Sequence, residues 1–302
     1  MKRLPLLLRL ELERVAGSGA VIAFAVFVLL PTLIFMYVGL LFWAPLSRQA
    51  IEVLRLIRPG VDVYHNLFND YISAVKSLTG LVLGFWAGFP MLVMVSIVIA
   101  VLISGERASG TFELLVTRPV ARWELVLSRV LSFIFLSLVI LLVANTLNIA
   151  TIALSLYNGL GLRVVVRALQ DAWKYIAYYT AASWLYVLAV TSLSLVTAIY
   201  SRRTFLPVLA VLGYYISITA LPGFANAVAH GPIARRITGL FKYLDISRYV
   251  STILYKWVYG PAAKMTENSI AVSYPAALTM VLGLSLTLIT LSLILVEKMD
   301  LS

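Results

Sequence analysis

Uncharged stretches fill the chain between Arg14 and Arg48, Lys76 and Glu106, Arg129 and Arg163, Lys174 and Arg202, Arg203 and Arg235, and Glu267 and Glu297. Each exceeds the ~20 residues that a helix needs to cross the hydrocarbon core. None alternates with a period of two, which excludes a membrane barrel. Unpaired backbone groups cost several kcal/mol in hydrocarbon, so helices are the remaining solution. The pattern predicts an all-α polytopic membrane protein with spans at about 20–43, 78–103, 125–156, 174–200, 204–221 and 275–296, six transmembrane helices in a single domain over 1–302. Pro90 lies inside the second span, where a missing N–H predicts a kink. The apolar core Ala20–Trp43 is longer than the ~7–15 residues of a signal h-region and is read as a retained anchor.

Between the spans the periodicity changes. Over 2–15, Leu4, Leu8, Leu12 and Val15 share one helical face and Lys2, Arg9 and Glu13 the other, with Arg9 and Glu13 spaced for an i,i+4 pair. This predicts an amino-terminal amphipathic interfacial helix, released from the first span by Gly17-Ser18-Gly19. Residues 44–77 read as a loop in which Tyr64, Leu67, Phe68, Tyr71 and Ile72 recur at helical spacing, predicting after Arg58-Pro59-Gly60 a second interfacial helix or, the commoner case, a helix merely packed on the outer rim. A short loop carrying Arg163, Arg167 and Asp171 precedes the fourth span. Residues 222–274 form the longest excursion, where Ile233, Ile237, Leu240 and Leu244 keep a helical stripe beside Arg235, Arg236, Lys242 and Asp245. It reads as a long extracytoplasmic hairpin before the last span, re-entrant or interfacial and not a globular domain.

Composition agrees: 62% of residues are hydrophobic and 12% charged. The formal charge of +11 sits in loops beside the spans, where anionic lipid head groups are the natural partner and no nucleic-acid module is visible. Lys and Arg are denser per residue on the side that holds both termini and the 104–124 loop, which places the termini in the cytoplasm of a cell-membrane protein. Cysteine is absent, which removes disulfides and thiolate metal sites. The two histidines, His65 and His230, fall in separate loops, so no metal site and no catalytic residue is expected.

The spans carry no Asp, Glu, Lys or Arg deep inside them, so an ion-coupling site of the kind secondary transporters need is missing. The G-x-x-x-x-G-K-[ST] phosphate loop is missing as well, and a nucleotide would have to be bound by another chain. Two roles are open to Asn145, Asn148 and Thr151, which share a face of the third span: lining a substrate path, or hydrogen-bonding a neighbouring helix, the commoner role.

One charged island interrupts this chain, Ser104–Glu124. Gly105 and Gly110 break it, and Pro119 is suited to the first turn of the helix entering the third span, so it reads as two short helices joined near Thr117-Arg118. Phe112, Leu115 and Val116 make an apolar edge, with Glu106, Arg107 and Glu113 polar and Trp123 opening the second piece. Aromatic residues and arginines of this density suit a docking surface better than a plain topological loop.

At Glu106-Arg107, Gly110-Thr111, Leu114-Leu115, Pro119-Val120, Arg122, Glu124 and Arg129 the chain resembles the membrane subunits of ABC-2 type ABC transporters. The resemblance extends to the plan of an amphipathic helix, six spans and a long excursion before the last. It implies a permease subunit without its own nucleotide site, more an exporter than an importer. Its partners would be a separate ATPase subunit carrying ATP and Mg, a second permease subunit (the same chain or a related one), and the bilayer. It further implies that 104–124 is a coupling loop seated on the ATPase, with Glu106, Gly110, Thr111, Pro119 and Arg122 transmitting motion and Arg107, Phe112, Glu113 and Arg118 completing the docking face. Two other classes remain: a non-transporting scaffold or assembly factor, and an ion-coupled secondary transporter.

Overall fold

A computed structural model describes residues 3–57, 63–105, 121–157, 160–201, 203–228, 243–261 and 272–298. Among these the regular structure is helical throughout. Helix α1 (Arg3–Ala16) is amphipathic and is joined to α2 (Gly19–Val38) through Gly17-Ser18 alone. The Ser18 hydroxyl accepts from the Val21 N–H at 3.3 Å and donates to the Val15 carbonyl at 2.8 Å, capping α2 while holding the end of α1. Helix α2 runs through a π turn at Gly39–Trp43 directly into α3 (Ala44–Ile57).

Helix α4 (Val63–Leu81) leads through a second π turn, Val82–Trp86, to a break at Ala87–Gly88, and then to α5 (Phe89–Ile99) and a third π turn, Ala100–Ser104. Most of the predicted 44–77 loop is therefore helix. Within its apolar stripe Tyr71 is fully buried and its hydroxyl donates to the Ala168 carbonyl at 3.0 Å, so α4 packs into the bundle there. The two halves of the second span meet at 44°. The bend lies at Ala87–Gly88 and Pro90 falls in the first turn of α5, where its missing N–H has no intrahelical partner to lose. The predicted mechanism, a hydrogen bond lost inside a continuous helix, is replaced by a broken helix that Pro90 restarts.

Helices α6 (Arg122–Tyr157) and α7 (Leu162–Tyr200) form the central hairpin, turned at Gly161 with φ +94°. Helix α6 opens at Arg122, where the Ala121 carbonyl accepts from the Glu124 and Leu125 N–H groups, and so starts later than Pro119. Helix α7 starts well before the predicted 174. Arg163, Arg167 and Asp171 recur every fourth residue on its exposed face while Val165, Ala168 and Ala172 are buried, so a segment taken for a loop is the outer turns of one long helix. Helices α8 (Phe205–Val228), α9 (Ile246–Tyr259) and α10 (Tyr274–Lys298) complete the bundle. Helix α8 packs on α5 and α7, whereas α9 packs on α7 and α10.

Among the described residues four helices are long and apolar enough to cross a membrane: Gly19–Val53, Arg122–Tyr157, Leu162–Tyr200 and Tyr274–Lys298. The bent pair Leu67–Trp86 with Phe89–Ser104 makes five when counted as one span. The stretch predicted as span 204–221 contains a shorter apolar helix, Phe205–Ala220. Helix α7 is the hub. Its side chains are tied to α4 by Tyr179, which donates to the Val75 carbonyl at 2.8 Å and lies 3.3 Å from Thr79; to α5 by Ser194, which donates to Ser96 at 3.1 Å; and to α6 by Trp184, which donates to the Ile134 carbonyl at 3.0 Å. Such polar links between helices supply specificity where lipid and side chains are equally apolar.

Candidate functional site

The segment with most of the predicted functional residues is bracketed by two fixed ends. Residues 106–120 are outside the described residues, and with them Glu106, Arg107, Gly110, Thr111, Phe112, Glu113, Arg118 and Pro119. On the incoming side Ser104 is fully buried and donates to the Ala198 carbonyl at 3.0 Å. A Cβ placed on Gly105 would stand 3.6 Å from the Thr204 methyl, so the chain leaves α5 in contact with the α7–α8 turn. That turn is held by Ser201, whose hydroxyl accepts from the Arg203 N–H at 3.0 Å and donates to the Arg203 carbonyl at 2.6 Å. On the outgoing side Arg122 begins α6, and Trp123 beside it is exposed.

Two turns into α6 stands a group that the sequence reading did not assign to a site. Arg129 is 1% exposed, and its Nε donates to Oε2 of Glu11 in α1 at 3.0 Å. Arg14 approaches the other oxygen of Glu11 at 3.8 Å. The sequence pattern assigns Glu11 to neither face of the predicted amphipathic helix, and Arg129 lies buried near the start of the span predicted at 125–156. The predicted pair does form: Arg9 and Glu13 lie 3.8 Å apart on the exposed face. The sequence held a signal for the buried pair. Glu11 falls in register with Leu4, Leu8 and Val15, and Arg129 with Val126 and Phe133, so each charge occupies an apolar position.

Asn145, Asn148 and Thr151 lie buried on α6. Asn145 Nδ2 donates to the Leu141 carbonyl at 3.0 Å and to Thr180 Oγ1 of α7 at 3.4 Å, and Thr151 donates to the Leu147 carbonyl at 2.8 Å. The Asn148 amide has no hydrogen-bond partner among the described residues.

A half-polar cavity of about 400 Å³ opens at the broken helix, between Gly80 and Ala87 of the second span, Thr219 of α8, and Asp245, Arg248 and Tyr255 at α9. Asp245 caps α9: Oδ1 accepts from the Ser247 N–H at 3.0 Å and Oδ2 accepts from Arg248 Nε at 3.1 Å. The start of α9 faces Leu92, Tyr186 and Val190, while its end reaches Lys76 and Tyr178, where Tyr259 donates to the Lys76 carbonyl at 3.1 Å and Trp257 stacks on Tyr178. Tyr186 and Val190 belong to the uncharged part of α7, against which the start of α9 packs. Of the predicted stripe in this excursion, Leu244 is exposed, and Ile233, Ile237 and Leu240 lie outside the described residues. His65 is exposed, and His230 lies outside the described residues.

A family model described as "ABC-2 family transporter protein" matches residues 60–218, more than half of the chain. The chain belongs to the ABC-2 family. The matched stretch runs from the approach to α4 into α8, and so contains the broken span, the 104–124 island, the α6–α7 hairpin and Arg129, but not α1 with Glu11. No curated protein matches the chain. The permeases of the ABC-2 family are multi-pass membrane subunits without an ATPase domain of their own and typically work with an ATPase subunit.

Proposed function

We propose that this ABC-2 protein is the membrane-spanning subunit of an ATP-driven exporter, coupled through 104–124 to a separate ATPase chain that binds ATP and Mg. It works as a homodimer or with a related permease, with both termini in the cytoplasm. The observation that carries the reading is the rooting of the island. It leaves α5 where Ser104 is bonded to α7, touches the α7–α8 turn at Thr204, and enters a 36-residue α6 without Gly or Pro. A push on the island is therefore delivered to three helices at once, as a rigid-body device requires. Glu106, Gly110, Thr111, Pro119 and Arg122 transmit that push, and Arg107, Phe112, Glu113 and Arg118 complete the docking face.

The test is purification of the tagged chain from its native cells. An ATPase subunit is expected to co-purify, and Glu106→Lys or Glu113→Lys is expected to release it or reduce ATP turnover at least tenfold while the permease stays folded. Recovery of the permease without any ATPase overturns the proposal in favour of a scaffold. Transport driven by an ion gradient without ATP overturns it in favour of a secondary transporter.

A further inference from the structure

Helix α1 is joined covalently to α2 but packed on α6. It lies along α6 and hardly touches α2, and among its described side chains Glu11 and Val15 are buried. The link to α2 is Gly17-Ser18, two residues outside either helix, where the Ser18 hydroxyl is bonded to the Val15 carbonyl and the Val21 N–H. The link to α6 is the Glu11–Arg129 pair, with side chains 8% and 1% exposed and a contact of 3.0 Å. A buried ion pair is a poor way to gain stability, since apolar side chains of equal volume do as well or better; its best-attested use is to fix one arrangement of two elements. Arg129 stands ~10 Å along α6 from Arg122, at the 1.5 Å rise of a helix, and so at the foot of the helix that leaves the island.

We infer that Glu11 and Arg129 latch the amino-terminal helix to the root of α6, so that α1 moves with α6 and hinges against α2 at Gly17-Ser18 when the ATPase acts. The inference rests on the proposed coupling through the island. Glu11 and Arg129 are positioning residues. The latch gives the stroke a second output: α1, with exposed Leu10 and Arg9, is carried relative to α2 and to the lipid around it.

The chain has no cysteine, so single labels can be placed cleanly. The permease–ATPase complex, reconstituted in lipid nanodiscs, is spin-labelled in two pairs at exposed positions: Leu10→Cys with Val143→Cys on α6, and Leu10→Cys with Tyr37→Cys on α2. Electron–electron distances are read without nucleotide and after vanadate trapping. The expected result is an unchanged α1–α6 distance and a shifted α1–α2 distance. In Glu11→Gln the α1–α6 distribution broadens on trapping, and the exchanged pair Glu11→Arg with Arg129→Glu narrows it again. An α1–α6 shift with a constant α1–α2 distance, or no change in either, overturns the latch while vanadate-sensitive ATP turnover leaves the coupling proposal standing. A complex without vanadate-sensitive turnover overturns the coupling proposal and the latch together.

Discussion

At Gly39 one added carbon would meet a neighbouring helix. The glycine lies buried in the π turn between α2 and α3, and a Cβ there would stand 2.7 Å from the Thr151 methyl and 3.3 Å from Ser155 Oγ on α6. The first distance is inside the repulsive wall, and Thr151 has little freedom to retreat, because a β-branched side chain is stiff at χ1 and its hydroxyl is bonded to the Leu147 carbonyl at 2.8 Å. Two opposing terms set the outcome of Gly39→Ala. Alanine favours the helix by up to about 1 kcal/mol, whereas overpacking a close contact costs about 1–3 kcal/mol. The overpacking term wins, and a net loss of about 1 kcal/mol is expected, or ~2–4 °C in apparent melting temperature. Thr151→Ser removes the clashing methyl and keeps the hydroxyl, so Gly39→Ala with Thr151→Ser recovers most of the loss. The assay is thermal unfolding of the detergent-purified protein followed by size-exclusion, with all four members of the cycle. A Gly39→Ala protein as stable as the parent, or a Thr151→Ser change that adds to its loss, refutes the close-approach argument.

Two further outcomes are read with the same assay. Tyr179→Phe removes a buried hydroxyl that donates to the Val75 carbonyl and contacts Thr79, and is expected to cost about 1 kcal/mol; a neutral change means that α4 is not held through this group. Asp245→Asn keeps an N-cap acceptor for α9 but loses the charge opposite Arg248, whereas Asp245→Ala loses both, so the alanine variant should be the less stable by about 1 kcal/mol; equal stability refutes a capping role.

How far the chain could be read without coordinates differs between elements for physical reasons. The limits of α6 and α10 fall within a few residues of the predicted spans, since the change from charged to apolar sequence is the change from water to hydrocarbon. The start of α7 is not legible in the sequence, because Arg163, Arg167 and Asp171 look like a loop when counted, and like one exposed helical face only when Val165, Ala168 and Ala172 are seen packed. The bend in the second span was assigned to Pro90, the residue with a known local effect, yet it sits at Ala87–Gly88, where Gly88 takes an extended backbone.

The sequence by itself determined that this is an all-helical membrane protein and, through Glu106 to Arg129, that it resembles the ABC-2 family to which it belongs. Both follow from local information: an uncharged run must satisfy its own backbone in lipid, and a motif is contiguous. Tertiary structure alone decided which helix each polar group serves. Glu11 meets Arg129 across 118 positions, and Tyr179 reaches Val75 across 104. A side chain on an apolar face shows only that it will be buried; the partner that makes its burial tolerable is chosen by how the helices pack.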